Sequence, residues 1–187
     1  MAIRATPNNE SMNRHGRSGD KCQGGLSRYR QQWQHSLFEE ITMAQVLLRA
    51  LTDDHRRCDS LLAAAETATT GKDWDAIVEE IEVVREAVER HFQFEERVLF
   101  PQLEARVPMA AGPAGVMRME HQQIRQLMAE LANAAQVQDK DTCVGTFETL
   151  HMMTQQHNAK EESILYPMAD NALQGQAESM AAALAEV

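Results

Sequence analysis

The sequence predicts an all-α fold: an up-down-up-down four-helix bundle with a flexible N-terminal arm and a short C-terminal helix. The 187 residues are 43% hydrophobic but only 5% aromatic, and the abundant Ala, Leu, Met, Glu and Gln lose little rotamer freedom in a helix. Apolar residues recur at steps of three and four along four segments, which is typical of amphipathic helices. Short connections between the segments favour antiparallel neighbours.

The first 40 residues are predicted to be a flexible basic arm. They lack apolar periodicity, and residues 1–35 carry six Arg or Lys residues against two acidic residues. The whole chain nevertheless has a formal net charge of -10. Because nucleic-acid binding depends on neutralising phosphates, so acidic a body argues against a nucleic-acid partner.

The bundle is expected over residues 41–171, with its helices at about 42–71, 73–101, 116–136 and 141–167. Asp73 is the expected N-cap of the second helix. Pro101 is expected to kink or end that helix, and Pro167 to close the fourth, because proline lacks a backbone donor. The segment "ARVPMAAGPAG" is predicted to be a loop. Residues 172–187 are expected to form a short helix or tail.

The cysteines and the hydropathy pattern indicate the cellular compartment that we expect for the protein. Cys22, Cys58 and Cys143 are odd in number and form no CxxC pair, so neither a disulfide framework nor a thiolate zinc site is indicated. No apolar run approaches the roughly 18 residues of a membrane span, and the N-terminus lacks the apolar segment of a signal peptide. We therefore expect a soluble, cytoplasmic protein with no membrane partner.

One motif occurs twice at a fixed offset. "HFQFEERVLFP", which begins at His91, returns as "HNAKEESILYP" at His157, and 157 − 91 = 66. Each copy contains HxxxE, and each is preceded by a single His on the helix before it, His55 and His121, again 66 residues apart. The two halves of the bundle therefore share one plan.

The spacing of HxxxE places both side chains on one helical face, one turn apart. That face coincides with the predicted apolar stripes, which include Val84, Val88 and Val98 in the second helix and Leu150, Met153 and Ile164 in the fourth. The polar pairs are therefore expected to point into the bundle interior.

Six polar side chains are then predicted to converge in the core: His55, His91, Glu95, His121, His157 and Glu161. Buried imidazoles and carboxylates are strongly destabilising without partners, and metal cations solve this problem. Nitrogen and oxygen donors suit iron, manganese or zinc. If each ion takes two His and the two Glu bridge, the set makes a two-metal centre with open positions. The alternative is a duplicated site that has since decayed.

Several neighbouring residues are given other roles. Glu96 and Glu162 lie about 100° from the ligand face and are expected to contact solvent or to support the ligands. Tyr166 aligns with Phe100 and is interpreted as a packing residue, as is Cys58. Surface positions are expected for the remaining histidines, which are His15, His35 and His151.

The segments "DDHRRCDSLL", "HFQFEERVLFPQLE", "EHQQIRQLM" and "HNAKEESILYPMAD" resemble the hemerythrin-like, or HHE cation-binding, family over about residues 43–170. This resemblance implies a four-helix bundle around a non-haem centre of two iron ions, bridged by an oxo or hydroxo group and two carboxylates. Its ligands would be the six residues above, with iron ahead of manganese or zinc. The pattern is similar to the H-HxxxE-H-HxxxE subgroup.

Oxygen-carrying hemerythrins have a fifth His one turn after the His of their third helix, and this chain has Arg125 there. The arginine can point to the surface, pair with an acidic group or attract an anionic ligand, and we expect the first.

Three functional hypotheses follow. In the first, a di-iron protein binds or senses a small ligand such as dioxygen or nitric oxide. In the second, it is an enzyme that reduces peroxide or nitric oxide, or an iron donor in the repair of damaged metal centres. In the third, it is a regulatory iron sensor whose helices order on metal binding. The sequence assigns neither catalytic residues nor an oligomeric state.

Overall fold

The computed structural model describes residues 45–186, so the basic arm predicted for residues 1–40 lies outside the described residues. Within this range there are seven α-helices and no strand: α1 (Val46–Ala68), α2 (Trp74–Phe94), α3 (Phe100–Arg106), α4 (Ala111–Gln136), α5 (Lys140–Lys160), α6 (Tyr166–Ala172) and α7 (Ala177–Glu186). Two π-helical segments, Glu95–Leu99 and Glu161–Leu165, link α2 to α3 and α5 to α6.

The four long helices form a closed ring of neighbours. Helix α1 packs against α2, α2 against α4, α4 against α5 and α5 against α1. Helices α6 and α7 also pack against α1. The predicted all-α bundle is therefore confirmed for the described part of the chain.

Aspartates fix three helix starts. Asp73 accepts a hydrogen bond from the Ala76 N–H at 3.2 Å, which confirms it as the N-cap of α2. Asp139, 66 residues later, accepts from the Thr142 N–H at 3.1 Å and begins α5. The start of α1 is capped from across the fold, because Asp170 accepts from the backbone N–H groups of two α1 residues. Each such cap contributes on the order of 1 kcal/mol.

The prediction that Pro101 and Pro167 end their helices is wrong, because the chain stays helical to Arg106 and Ala172. In both places a π turn precedes the proline, and the N–H of the residue before it bonds the carbonyl five residues back. The proline then occupies the second position of a new helical segment, where a missing N–H costs little.

Each π turn also shifts the buried face by one residue. Ile164 was predicted to point inward but is 50% exposed, whereas Leu165 and Tyr166 beyond it are buried. Val98 is likewise only half-buried, and Leu99 and Phe100 take the interior positions. An uninterrupted period of 3.6 residues does not predict this shift.

The predicted loop "ARVPMAAGPAG" is mostly helical. After α3 ends, Pro108–Ala110 form a 3-10 turn and α4 begins directly at Ala111, earlier than the predicted start at residue 116. Pro113 is tolerated because it lies in the first turn, where backbone N–H groups have no partner within the helix.

Two hydrophobic clusters fill the interior on either side of a polar layer. One includes Leu51 of α1 and Met117 of α4, and the other includes Leu62 of α1 and Ile124 of α4. On each of these helices a histidine lies between the two clusters. Among the described helices, none has the length and apolar character needed to cross a bilayer.

Candidate metal centre

The structure brings all six predicted side chains together in the polar layer, and each is at most 3% exposed. They form two groups whose ligand atoms lie within 4.8 Å of one another. One group contains Glu95, His121, His157 and Glu161, and the other contains His55, His91 and Glu161. Glu161 belongs to both groups and joins them.

The backbone places the two HxxxE pairs in the same way. His91 lies in the last turn of α2 and Glu95 is the first residue of the following π turn, and His157 and Glu161 repeat this arrangement after α5. The His91 Nε2 to Glu95 Oε2 distance is 3.4 Å, and the His157 Nε2 to Glu161 Oε2 distance is 3.3 Å. Single π turns of this kind are frequent at functional sites.

Every one of the four histidines also contacts a second carboxylate through its outer nitrogen. The Nδ1 to oxygen distances are 2.9 Å for His55 and Glu162, 2.9 Å for His91 and Asp54, 2.8 Å for His121 and Glu96, and 3.1 Å for His157 and Glu120. A carboxylate in this position holds the proton on Nδ1, so the lone pair of Nε2 points into the site.

Two of these four supporting carboxylates were missed by the sequence analysis. Asp54 and Glu120 directly precede His55 and His121 and are 66 residues apart (120 − 54), so the repeat carried a usable signal. The two others, Glu96 and Glu162, were expected to contact solvent or support the ligands, and both support a histidine.

Three supporting carboxylates have a cationic partner as well. Asp54 pairs with Arg57, Glu96 pairs with Arg125 and Glu120 pairs with Lys160. Burial raises the pKa of all three carboxyl groups, but the contacts to the cation and to the histidine lower each pKa below its ordinary value overall. The carboxylates therefore stay ionised and keep their histidines oriented.

The nitrogen and oxygen atoms that face the middle of the site are arranged as a bound cation would require. His121 Nε2 and His157 Nε2 lie 3.1 Å apart, and in the neutral rings both atoms are acceptors because Nδ1 carries the proton. Glu95 Oε2 and Glu161 Oε1 are buried without a hydrogen-bond partner among the described residues. Such groups are costly in a protein interior unless a positive charge lies among them. The residues present therefore fit a bound metal cation.

The pKa values of His55 and His121 also indicate that the site favours positive charge. Burial lowers the pKa of His55 and of His121, but the nearby carboxylates of Glu161 and Glu95 outweigh burial and raise each pKa to about 9. Burial raises the pKa of Glu161, yet its contacts with His121, His157 and His55 hold that pKa well below its ordinary value. Protons and metal ions thus compete for the same imidazoles.

Tyr166 also belongs to this site, although it was interpreted as a packing residue. It is fully buried, and its hydroxyl lies 2.7 Å from Glu95 Oε1 and 2.9 Å from Glu161 Oε2. Its Oη is 2.9 Å from His55 Nε2 and 3.5 Å from His91 Nε2. Burial, followed by the charges of Glu161 and Glu95, raises the pKa of Tyr166 well above its ordinary value.

The expectation that Arg125 points to the surface is wrong, because its guanidinium pairs with two carboxylates. Its Nε lies 2.7 Å from Glu89 Oε2 and its Nη1 lies 2.8 Å from Glu96 Oε1. The guanidinium also lies 5.3 Å from the centre of the Phe92 ring, which stacks on His121 at 3.8 Å. Of the three possibilities, pairing with acidic groups is the one observed.

His151 and Cys58 lie away from the polar layer. His151 pairs with Glu66 at 3.0 Å and keeps 32% of its side chain exposed, in line with a surface position. Cys58 is half-buried, and burial followed by the charge of Asp54 raises its pKa to about 12, so its thiol stays protonated. His15, His35 and Cys22 lie outside the described residues.

The hemerythrin HHE cation binding domain family matches residues 46–169, a range that includes all six converging residues and their four supporting carboxylates. The chain belongs to this family. No curated protein and no solved structure matches it. Together with the buried His and Glu groups, the family identifies a hemerythrin-like metal-binding protein.

Proposed function

We propose that the protein holds two iron ions in the polar layer and uses them to bind or sense a small ligand such as dioxygen or nitric oxide. The main support is the division of the donors into two groups that share Glu161. His55 and His91 would hold one ion, His121 and His157 the other, and Glu95 and Glu161 would contact both. When bound, the iron supplies a redox-active cation with positions that a small ligand can occupy.

The donor chemistry suits iron and does not favour a structural zinc site. Imidazole nitrogens and carboxylate oxygens suit borderline first-row cations, and the described site contains no thiolate that would favour structural zinc. In helical bundles, paired carboxylates and histidines that project inward from facing helices are the usual donors of di-iron and di-manganese centres. Manganese and zinc are therefore the alternatives that metal analysis must distinguish.

The burial of the site limits the size of the ligand. All six side chains are at most 3% exposed, and Phe92, Phe100 and Tyr166 are also buried. Such burial favours a ligand of two or three atoms over an organic substrate, which would need the bundle to open. The low local dielectric of a buried site also strengthens the contacts between a bound ligand and its surroundings.

Metal analysis tests the first part of this proposal. Protein purified from iron-supplemented cells is expected to contain about two iron ions per chain, as two groups of donors require. His91→Ala and Glu161→Ala should each lower that content, and His151→Ala, a histidine outside the layer, should leave it unchanged. Full iron content in both layer variants would rule out the site as described.

Stopped-flow absorption tests the second part. The reduced, iron-loaded protein is mixed separately with dioxygen, nitric oxide and peroxide. A spectral change that persists and reverses on removal of the gas supports ligand binding or sensing. Repeated turnover of peroxide or nitric oxide, with no persistent change, would instead support a reductase.

A further inference from the structure

At one pair of positions, the two halves of the site differ in whether a side-chain oxygen lies within hydrogen-bond distance of the donors. Five pairs of site residues, each 66 apart, match in chemical kind: His55 and His121, His91 and His157, Glu95 and Glu161, Glu96 and Glu162, and Asp54 and Glu120. The sixth pair is Phe100 and Tyr166, which are both fully buried. A phenol offers an oxygen donor where a phenyl ring offers none.

The Tyr166 oxygen lies close to donor atoms of both groups. Its distances to Glu95, Glu161, His55 and His91 donor atoms range from 2.7 to 3.5 Å. With metal to ligand distances of about 2.0–2.2 Å, neighbouring ligands of one ion are roughly 3–3.5 Å apart in octahedral or tetrahedral geometry. The oxygen is closer to His55 Nε2 than to His91 Nε2, and it lies within reach of both carboxylates.

Phe100 has a different relation to the donors. Its ring lies 6.0 Å from the ring of His121, with an angle of 16° between the planes. It therefore flanks the histidine and offers a metal ion no donor atom.

We propose that Tyr166 is a seventh protein ligand, binding through Oη the metal ion held by His55 and His91, so that the open position belongs to the ion held by His121 and His157. This proposal rests on the proposed function and names the ion at which the small ligand binds. On metal binding the Oη–H bond breaks, an Oη–metal bond forms and the proton leaves to solvent. A bound cation favours the anionic form of a coordinating group, which offsets the nearby carboxylate charges.

The two ions would differ in the number of protein atoms that bind them. With one further oxygen shared by the two ions, the His55 ion would reach six donors through two imidazoles, two shared carboxylates and one phenolate. The His121 ion would then have five donors and keep one open position. The ligand would therefore bind beside Phe92, which stacks on His121 at 3.8 Å. An anionic oxygen donor also favours the ferric state, so the His55 ion should be the harder one to reduce.

Resonance Raman spectroscopy of the ferric protein tests the ligand. Excitation in a visible phenolate-to-iron charge-transfer band is expected to show tyrosinate ring vibrations. Only two tyrosines are present in the chain, Tyr29 and Tyr166. Tyr166→Phe should abolish these vibrations at retained iron content, whereas the control Tyr29→Phe should leave them unchanged. Ring-deuterated tyrosine in the unaltered chain should shift the bands, which does not depend on a variant that folds.

The outcomes separate this proposal from the proposed function. An unaltered protein that contains about two irons but shows no tyrosinate bands would overturn the Tyr166 ligand and leave the di-iron site intact. Loss of the bands in Tyr29→Phe alone would also overturn it. A chain that binds no iron would overturn both proposals together.

Titration with nitric oxide tests the open position. The reduced protein should bind about one nitric oxide per pair of irons, and Tyr166→Phe should bind about two, because a second position then opens. Two equivalents bound by the unaltered protein would contradict the assignment of a single open ion.

Discussion

Arg125 and Glu96 form an ion pair in which Nη1 of the guanidinium lies 2.8 Å from Oε1 of the carboxylate. The same oxygen lies 2.8 Å from Nδ1 of His121. The arginine one turn after His121 therefore acts on the site through the carboxylate that orients this histidine. A second contact, to Glu89, holds the guanidinium in place.

Replacing Arg125 with Ala is expected to weaken metal binding at the His121 side. Glu96 then loses the cation that lowers its pKa and becomes free to turn away from His121. Supporting contacts of this kind contribute about 10-fold or more to metal affinity. Competition with a chelator measures the affinity of the protein for the more weakly bound metal ion.

Arg118→Ala is the matched control for this change. Arg118 is also in α4, pairs with Glu104 and lies 5.2 Å from the Phe100 ring, but Glu104 contacts none of the four histidines through a described hydrogen bond. Equal affinity losses in the two variants would show that Arg125 acts only through general stability.

The two carboxylates that precede His55 and His121 are expected to matter for metal affinity. Asp54→Asn and Glu120→Gln each remove the charge that holds a histidine Nδ1 proton, and the affinity should fall by about 10–100-fold. Asp53→Asn is the control, because Asp53 is exposed and pairs only with Arg56 among the contacts described. Affinities within error of the unaltered protein would show that the histidines are oriented by packing alone.

The stability of the metal-free protein, prepared by chelation, should fall as the pH rises. The pKa values of His55 and His121 are raised from 6.5 to about 9 in the folded protein. Their stabilising contribution is therefore fully present below pH 6.5 and is lost as the pH rises through about 9. Urea unfolding across this window measures the loss.

Metal affinity should change in the opposite direction over the same pH range. Fewer protons must leave the two imidazoles at higher pH, so the metal binds more tightly. Unfolding free energies of the metal-free protein that stay constant from pH 6.5 to 9 would contradict the raised pKa values.

Asp170 is expected to stabilise the fold without affecting the metal. Its carboxylate accepts from the N–H groups of Leu47 at 2.8 Å and Leu48 at 3.0 Å, and it is 3% exposed. Asp170→Ala leaves both donors without this partner, and the free energy of unfolding should fall by about 1–2 kcal/mol. The exposed neighbour Asn171, changed to Ala, is the control, and urea unfolding together with metal analysis distinguishes the two effects.

The sequence by itself determined the four long helices of the bundle and the six residues that converge in it. The HxxxE spacing is a local property, because four residues along any α-helix bring two side chains to one face. The offset of 66 then indicated that both halves use that face in the same way. Composition and apolar period were sufficient for the bundle, since helix pairs with one apolar stripe each have few ways to bury it.

Only the tertiary structure decided which further residues support the six across helices. The contact of Asp54 with His91 and that of Glu120 with His157 join different helices, and no spacing within one helix predicts them. Arg125 forms ion pairs because Glu89 of α2 and Glu96 of the π turn face its guanidinium. Tyr166 enters the site because an inserted π residue rotates the chain, and such a turn persists only where packing and buried contacts offset its poorer hydrogen-bond geometry.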